Sequence, residues 1–252
     1  MNLDEALNNL PVTDKKVVAV LSGGLDSSVM TMLLVQKYGA DKVKAVSYYY
    51  GQKQSVELIM AKNLCDILRV EHKVLDLAVL GEIAQPMCAN IAGTDVDMPT
   101  IQDVLGDPQP PTYVPFRNMI LLSLTMSFAE ANDASHVFTG LQVHDEYGYW
   151  DTSQRFVDSI NAVATQNRTH SVKVVAPFSH LSKETEINLA VEMDHADLLR
   201  YTMTCYDPTR DVACGKCPSC SERIMNFAKA KLVDPCKYNI NIPWNDLIFR
   251  YN

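Results

Sequence analysis

No stretch of the 252-residue chain is apolar for long enough to cross a bilayer. The densest run, around Met119 to Ala129, is too short and too rich in Ser and Thr, whereas a spanning helix needs about 20 apolar residues. A basic excess is also missing. The 22 Lys and Arg stand against 30 Asp and Glu, for a formal net charge of -8 and a pI near 5.2. Sequence-independent grip on nucleic acid comes from Lys and Arg displacing counterions, so no direct nucleic-acid partner is expected. The first ten residues hold two acids and no Lys or Arg, unlike the basic start of a secretory signal. The seven cysteines are an odd number, which argues against a full disulfide framework. The expectation is a cytoplasmic chain with no membrane partner.

What is present suits a large packed core. The chain is 47% apolar and 21% charged, an ordinary globular balance. Lys16 to Leu21 (KVVAVL) is a β-branched run without helical period, the mark of a strand buried on both faces. Ser27 to Tyr38 is expected as a helix with Val29, Leu33 and Leu34 inward, and Val43 to Tyr50 as the next strand. Gln52 to Leu68 carries Val56, Ile59, Met60, Leu64, Ile67 and Leu68 at helical spacing, and a strand fits His72 to Leu77. Regularity is then lost from about Ala78 to Tyr113, where Asp107-Pro-Gln-Pro-Pro111 can be neither helix nor central strand. Asn118 to Asn132 predicts a buried helix and His136 to Thr139 a strand. A helix follows with Phe156, Ile160, Val163 and Ala164 inward, then Val172 to Ala176 as the last strand. Ser182 to Glu192 closes the series as a helix capped by Ser182, with Lys183 in its first turn. Strand and helix in alternation mean an α/β fold with a central parallel sheet and helices on both faces.

Ser22-Gly23-Gly24-Leu25-Asp26-Ser27 sits where the first strand hands over to a helix. Its two glycines let backbone N–H groups approach an anion, the following helix adds its dipole, and Ser22, Ser27 and Ser28 offer hydroxyls. The ending of a Walker A loop and the third glycine of a dinucleotide fingerprint are both absent. An aspartate in an anion-binding turn would repel phosphate unless it oriented a cation, so Asp26 suggests Mg²⁺. The plain alternative is a tight turn that binds nothing.

Cys205, Cys214, Cys217 and Cys220 have the spacing C-x8-C-x2-C-x2-C. Two overlapping C-x2-C pairs can turn their sulfurs towards one point, and four soft ligands suit a tetrahedral Zn²⁺ with no open position. An iron–sulfur cluster also takes four cysteines and is the rival. Cys65 lies on an apolar helix face and is expected in the core, while Cys88 and Cys236 remain unassigned.

SGGLDS resembles the SGGxDS pyrophosphate loop (PP-loop) of ATP pyrophosphatases. With the cysteine cluster, the chain resembles the QueC family (7-cyano-7-deazaguanine, or preQ0, synthases) over nearly its whole length. The pieces that carry the likeness occur in order: SGGLDSS at Ser22, Tyr50-Gly51-Gln52, and Val114-Pro115-Phe116-Arg117-Asn118. Asp145 to Asp151 (DEYGYWD), Ser182-Lys183-Glu184, Thr204-Cys205-Tyr206, Cys214-Gly215-Lys216-Cys217 and Asp234-Pro235 follow.

The resemblance implies a PP-loop ATPase (adenine nucleotide alpha hydrolase-like) fold. Residues 1–180 would form the nucleotide-binding part, and 181–252 a helical zinc-binding end. It implies an ATP-dependent C–N ligase that converts 7-carboxy-7-deazaguanine and ammonia into a nitrile through an amide, releasing AMP and pyrophosphate. Leu21, Ser22, Gly23, Gly24, Leu25, Asp26, Ser27, Ser28, Tyr50 and Gln52 match the ATP site. Asp26, Ser27, Lys183 and Arg117 are the catalytic candidates. Arg117, Asn118, Asp145, Tyr149 and Asp151 match the substrate segments, a carboxylate and an aromatic suiting a guanine-like face. Family members are often dimers, so a homodimer is within the expectation. Two departures fall in the substrate segments: Phe116 replaces the family's usual Gly, and Trp150-Asp151-Thr152-Ser153 replaces its common Pro-Asp-Cys-Arg. They open an alternative in which the reaction stops at the amide or the acceptor is an amine of a protein partner. A non-enzymatic nucleotide-binding protein is the third reading, against which the intact Ser22, Asp26 and Ser27 argue.

Overall fold

The computed structural model describes residues 1–99, 102, 107, 109–142 and 149–251. A short helix, α1 (Leu3–Asn9), opens with Asn2 and Glu5 in a reciprocal capping box. It leads to β1 (Lys16–Val20), whose Val17 and Ala19 face one core while Val18 faces another. Next come α2 (Leu25–Tyr38), β2 (Val43–Tyr49), α3 (Val56–Leu68) and β3 (Glu71–Asp76). The second half of the sheet follows as α4 (Ala78–Ala84), α5 (Arg117–Ala131), β4 (Ala134–Thr139), α6 (Gln154–Ala164) and β5 (Lys173–Val175). Helix α2 is buried continuously from Ser27 to Leu34, because it lies between the sheet and the C-terminal helices; Val29, Met30, Met32, Leu33 and Leu34 supply the apolar contact, and the Thr31 hydroxyl donates back to the Ser27 carbonyl at 2.7 Å.

All five strands are parallel, in the order β3-β2-β1-β4-β5. The chain builds outwards from β1 to β3, then crosses back to lay β4 and β5 on the other flank. The order therefore reverses between β1 and β4. Ligands of open parallel sheets collect beyond the strands' carboxyl ends at such a reversal, and the Ser22–Ser27 turn leaves β1 there. Helices α2 and α3 pack one face of the sheet; α4, α5 and α6 pack the other.

Beyond β5 lie α7 (Lys183–Glu192), a 3₁₀ turn (Ala196–Tyr201), β6 (Val212–Ala213), α8 (Pro218–Lys229), β7 (Lys237–Tyr238) and α9 (Trp244–Phe249). Ile187, Leu189, Leu199 and Phe227 from this region join the same core as α2. A smaller cluster gathers around Met203, Cys205, Ala213, Cys217 and Cys220. No helix among the described residues is long and apolar enough to cross a membrane.

Several expectations need correction. The stretch from Ala78 is not irregular throughout: α4 forms from it, with Leu80 and Ala84 inward. Helix α3 begins at Val56 rather than Gln52, because Gln52 bridges to Ile91 and its amide is tied to backbone. Ile59 and Val163, both expected inward, are 59% and 72% exposed, and Ile67 is exposed with them. The apolar stripes of α3 and α6 are wider than the surface they cover. Helix α5 is only partly buried, through Leu122, Thr125 and Ala129. Val172–Ala176 does not hold the last strand, since β6 and β7 pair in parallel beyond it.

One buried ion pair ties the C-terminal region together. Arg223 on α8 meets Asp234 twice, Nε to Oδ2 at 2.6 Å and Nη2 to Oδ1 at 2.9 Å, and also donates to Thr202 Oγ1 at 2.8 Å. The Tyr238 hydroxyl donates to the same carboxylate at 2.6 Å. Breaking such a pair leaves an uncompensated buried charge. Asp234→Ala is therefore expected to cost roughly 3–5 kcal/mol of stability, read as a lowered midpoint in denaturant unfolding.

Candidate active site

The turn after β1 is shaped by its own hydroxyls. Ser27 Oγ accepts from the Ser22 amide at 3.1 Å and lies 2.9 Å from Ser22 Oγ, which in turn accepts from the Gly24 amide at 3.1 Å. Gly23 has φ +92°, and a Cβ there would stand 2.1 Å from the carbonyl oxygen of Glu57 on α3. Only glycine fits. From the other side, the Met203 amide donates to the Gly23 carbonyl at 2.8 Å. The turn is thus clamped between α3 and the segment leading to the first cysteine. Leu21 and Leu25 are fully buried and offer the turn backbone alone, whereas Ser28 is buried with an unpartnered hydroxyl.

Lys183 begins α7, where the Ser182 hydroxyl accepts from the Thr185 amide at 3.2 Å. Its ammonium lies 3.6 Å from Asp26 Oδ2 and 2.9 Å from Glu222 Oε2, and donates to Gln142 Oε1 at 3.2 Å. Burial opposes its charge, but Asp26 and Glu222 outweigh burial and hold the ammonium above its ordinary range. Gln142 Nε2 donates to Glu186 Oε1 as well, which fixes the amide so that its oxygen faces Lys183. Burial, reinforced by Asp26, pushes the Glu186 carboxyl well up. Asp26 Oδ1 and Glu186 Oε2 meet no amide, hydroxyl or ammonium donor, and the two carboxyl groups hydrogen-bond to each other, the proton resting on Glu186.

A second group faces this corner. Arg117, the first residue of α5, donates from Nη1 to the Tyr50 hydroxyl at 3.3 Å. Burial works against its charge, and Tyr50, Tyr149 and Asp151 more than restore it. The Asn118 amide donates to Asp151 Oδ2 at 3.2 Å while Asn118 Nδ2 donates to the Asp151 carbonyl at 3.2 Å. Burial raises the carboxyls of Asp151 and Glu57, with Arg117 pulling both back down. The Tyr149 hydroxyl pairs with Thr112 Oγ1 at 2.8 Å. Burial pushes the Tyr206 hydroxyl up, and Tyr149, Lys183 and Arg117 all act on it, so Tyr206 is a neighbour of both groups.

The structure therefore brings Asp26, Ser27 and Lys183 to one corner, and Tyr50, Arg117, Asn118, Tyr149 and Asp151 to the wall beside it. Gln52 points elsewhere: its Oε1 accepts from the Tyr50 amide at 2.8 Å and its Nε2 donates to the Tyr48 carbonyl at 3.0 Å, so it braces the β2 exit. Asp145 lies outside the described residues. Glu57, Gln142, Glu186, Tyr206 and Glu222 were not anticipated. Glu186 follows Lys183 by one helical turn and Tyr206 follows the first clustered cysteine, spacings that could have found these two; Glu57, Gln142 and Glu222 carry no local signal.

The sulfurs of Cys205, Cys214, Cys217 and Cys220 all lie within 4.8 Å of one another, the one such metal-holding group among the described residues. Cys214 and Cys220 sulfurs are 3.9 Å apart. A tetrahedral zinc with bonds of about 2.3 Å would set them roughly 3.8 Å apart. Backbone amides of Cys214, Lys216, Cys217 and Cys220 donate to these sulfurs at 3.2 to 3.4 Å, a shell that stabilises thiolates. Purified protein should carry about one metal ion per chain, read by elemental mass spectrometry. Cys217→Ser should lose that ion and melt at a lower temperature.

Comparison with known proteins identifies the family. The family model described as queuosine biosynthesis protein QueC matches residues 16–231. A 7-cyano-7-deazaguanine synthase of Marinomonas sp. (strain MWYL1) is 36% identical over 226 residues, covering 89% of this chain and 98% of the relative. The synthase of that name from Methanocaldococcus jannaschii is 32% identical over 235 residues, covering 88% and 99%. Among solved structures, the U34-tRNA thiolase NcsA from Methanococcus maripaludis overlaps 99% of this chain and 76% of its own at 13% identity and a TM-score of 0.48, too distant to bear on substrate or metal. Since the family model runs from β1 through α8 and the relatives align over nearly their whole length, the chain belongs to the QueC family.

Proposed function

We propose that the chain uses ATP to adenylate the carboxylate of 7-carboxy-7-deazaguanine and passes the activated acyl group to ammonia, on the way to 7-cyano-7-deazaguanine. The observation that carries this reading is the meeting of a buried, charge-held Lys183 with Asp26 at the mouth of the glycine turn, facing a wall built on Arg117. The names of the family's relatives support the substrate class.

In this reading Leu21 to Ser28 hold the ATP phosphates, with Tyr50 beside them. A carboxylate oxygen of the acid attacks the α-phosphorus, and the bond to pyrophosphate breaks. Ammonia then attacks the acyl carbon, AMP departs and a proton is lost, leaving the amide. The amide oxygen attacks the α-phosphorus of a second ATP, pyrophosphate leaves, and departure of AMP with that oxygen and of the two nitrogen protons leaves the nitrile. Lys183 steadies the charge of the departing pyrophosphate and Arg117 the acid's carboxylate, both held in place before any ligand arrives. Asp151, Asn118, Tyr149 and Asp145 serve the heterocycle.

A divalent cation fits the same corner, because the Asp26 side chain is partly open to solvent at the turn and Mg²⁺ takes one or two carboxylates beside phosphate oxygens. Bound there, it would supply neutralising charge at the phosphates. Zinc suits the four thiolates, whose shell leaves no open position and therefore a structural role. Residues 1–180 supply the nucleotide turn, while 181–252 bring Lys183, Glu222 and the metal.

Incubation with the acid, ATP, Mg²⁺ and an ammonium salt should release AMP and pyrophosphate in equal amounts. Lys183→Ala should slow AMP release by about 100-fold or more, with circular dichroism checking that the fold survives. No AMP from the wild type would overturn the proposal. A product mass matching the nitrile supports ammonia as acceptor, and one matching an amide or a protein adduct selects the alternative endpoint.

A further inference from the structure

Phe116 precedes α5 with φ 52° and ψ 23°, in the left-handed region. That conformation is rare and strained for a bulky residue, and such strain clusters at ligand clamps. Core packing is not the compensation, since Phe116 stays 51% exposed. Its ring stands edge-on to Trp150, with centroids 5.3 Å apart and planes at 69°, and Trp150 is itself 42% exposed. One hydroxyl holds both: Tyr113 OH accepts from the Phe116 amide at 3.1 Å and from Trp150 Nε1 at 2.9 Å. The Tyr113 ring in turn stacks on Tyr149 at 5.8 Å. The next residue after each exposed ring turns inwards, Arg117 to Tyr50 and Asp151 to Asn118.

Two solvent-facing rings thus stand beside two inward polar groups that the proposed reaction assigns to the acid. We propose that Phe116 and Trp150 form an aromatic clasp at the entrance that selects planar heteroaromatic acids by covering the ring face. The left-handed backbone at Phe116 aims its ring towards Trp150, and the Tyr113 hydroxyl locks the pair. The clasp sets affinity for the acid and leaves ATP binding alone. It rests on the substrate class proposed above.

The chain has two tryptophans, so Trp244→Phe leaves Trp150 as the sole indole reporter. Its emission should be quenched saturably by 7-carboxy-7-deazaguanine, and also by guanine, a planar ligand without the carboxylate. Phe116→Gly should raise the KM for the acid at least tenfold, with kcat and the KM for ATP changed less than twofold. Its Tm should hold or rise, because glycine accepts the left-handed backbone without strain. Phe116→Leu, which keeps bulk without a ring, should show the same KM defect, and Phe116→Tyr should restore wild-type KM. An acid KM within twofold of wild type in Phe116→Gly overturns the clasp, as does a sharp fall in its Tm, which marks a structural ring. If the wild type releases no AMP, the reaction assignment fails on its own, and the fluorescence still decides the clasp: no saturable quench by either ligand overturns it.

Discussion

An ammonium taken out of water needs anionic neighbours, and Lys183 finds them on elements far apart in the chain. Asp26 comes from the first turn of α2, Glu222 from α8, and the Gln142 oxygen from the segment beyond β4. Each partner removed would strand a buried charge, at a cost of several kcal/mol. The C-terminal helices are therefore bound to the glycine turn by electrostatics as well as by the shared core of Leu25, Ile187 and Phe227. The same requirement places three carboxyl groups around the turn's exit. Burial favours the neutral form of the Glu186 carboxyl, so the charge that an arriving cation would answer is that of Asp26 and Glu222, both already paired with Lys183.

Backbone contact does the rest of the positioning. Gly23 leaves no room for a side chain against the Glu57 carbonyl, and the Met203 amide binds its own carbonyl from the opposite side. The turn cannot shift without moving α3 or the approach to Cys205. Fixed donors of this kind lower the reorganisation needed when charge moves onto a leaving group. The acidity of the chain as a whole fits such a site, because its useful cations, Lys183 and Arg117, are buried and aimed rather than spread over the surface.

What could be read in the sequence was what is local. The SGGLDS turn lies within six residues, the four cysteines within sixteen, and the parallel sheet declares itself through short β-branched runs between helical stretches. Glu222 was invisible, because it lies 39 positions from Lys183 and a charged helical residue reads as solvated. Glu186 was within reach, since the i, i+3 spacing from Lys183 puts both on one face, but the flanking Glu184 made the helix look like surface. Helix α4 was hidden by the prolines downstream, although Val79, Leu80, Ile83 and Ala84 have helical spacing. Ile59 and Val163 show the converse: apolar period predicts a face, and only the packing of neighbours decides how much of that face is covered.

Helix α8 joins the four-cysteine cluster to the Lys183 corner. Cys217 caps it, Cys220 follows in its first turn, and Glu222 and Arg223 come directly after. Within seven residues the helix therefore carries two of the clustered thiols, one partner of the buried Lys183, and half of the Arg223–Asp234 pair. A helix gathered at its start into the cysteine cluster and held one turn later by a bidentate buried ion pair can neither rotate nor slide. Glu222 inherits that rigidity and hands it to Lys183. A closed four-thiolate centre would have no position for substrate, yet by this route it would still govern where the Lys183 ammonium stands.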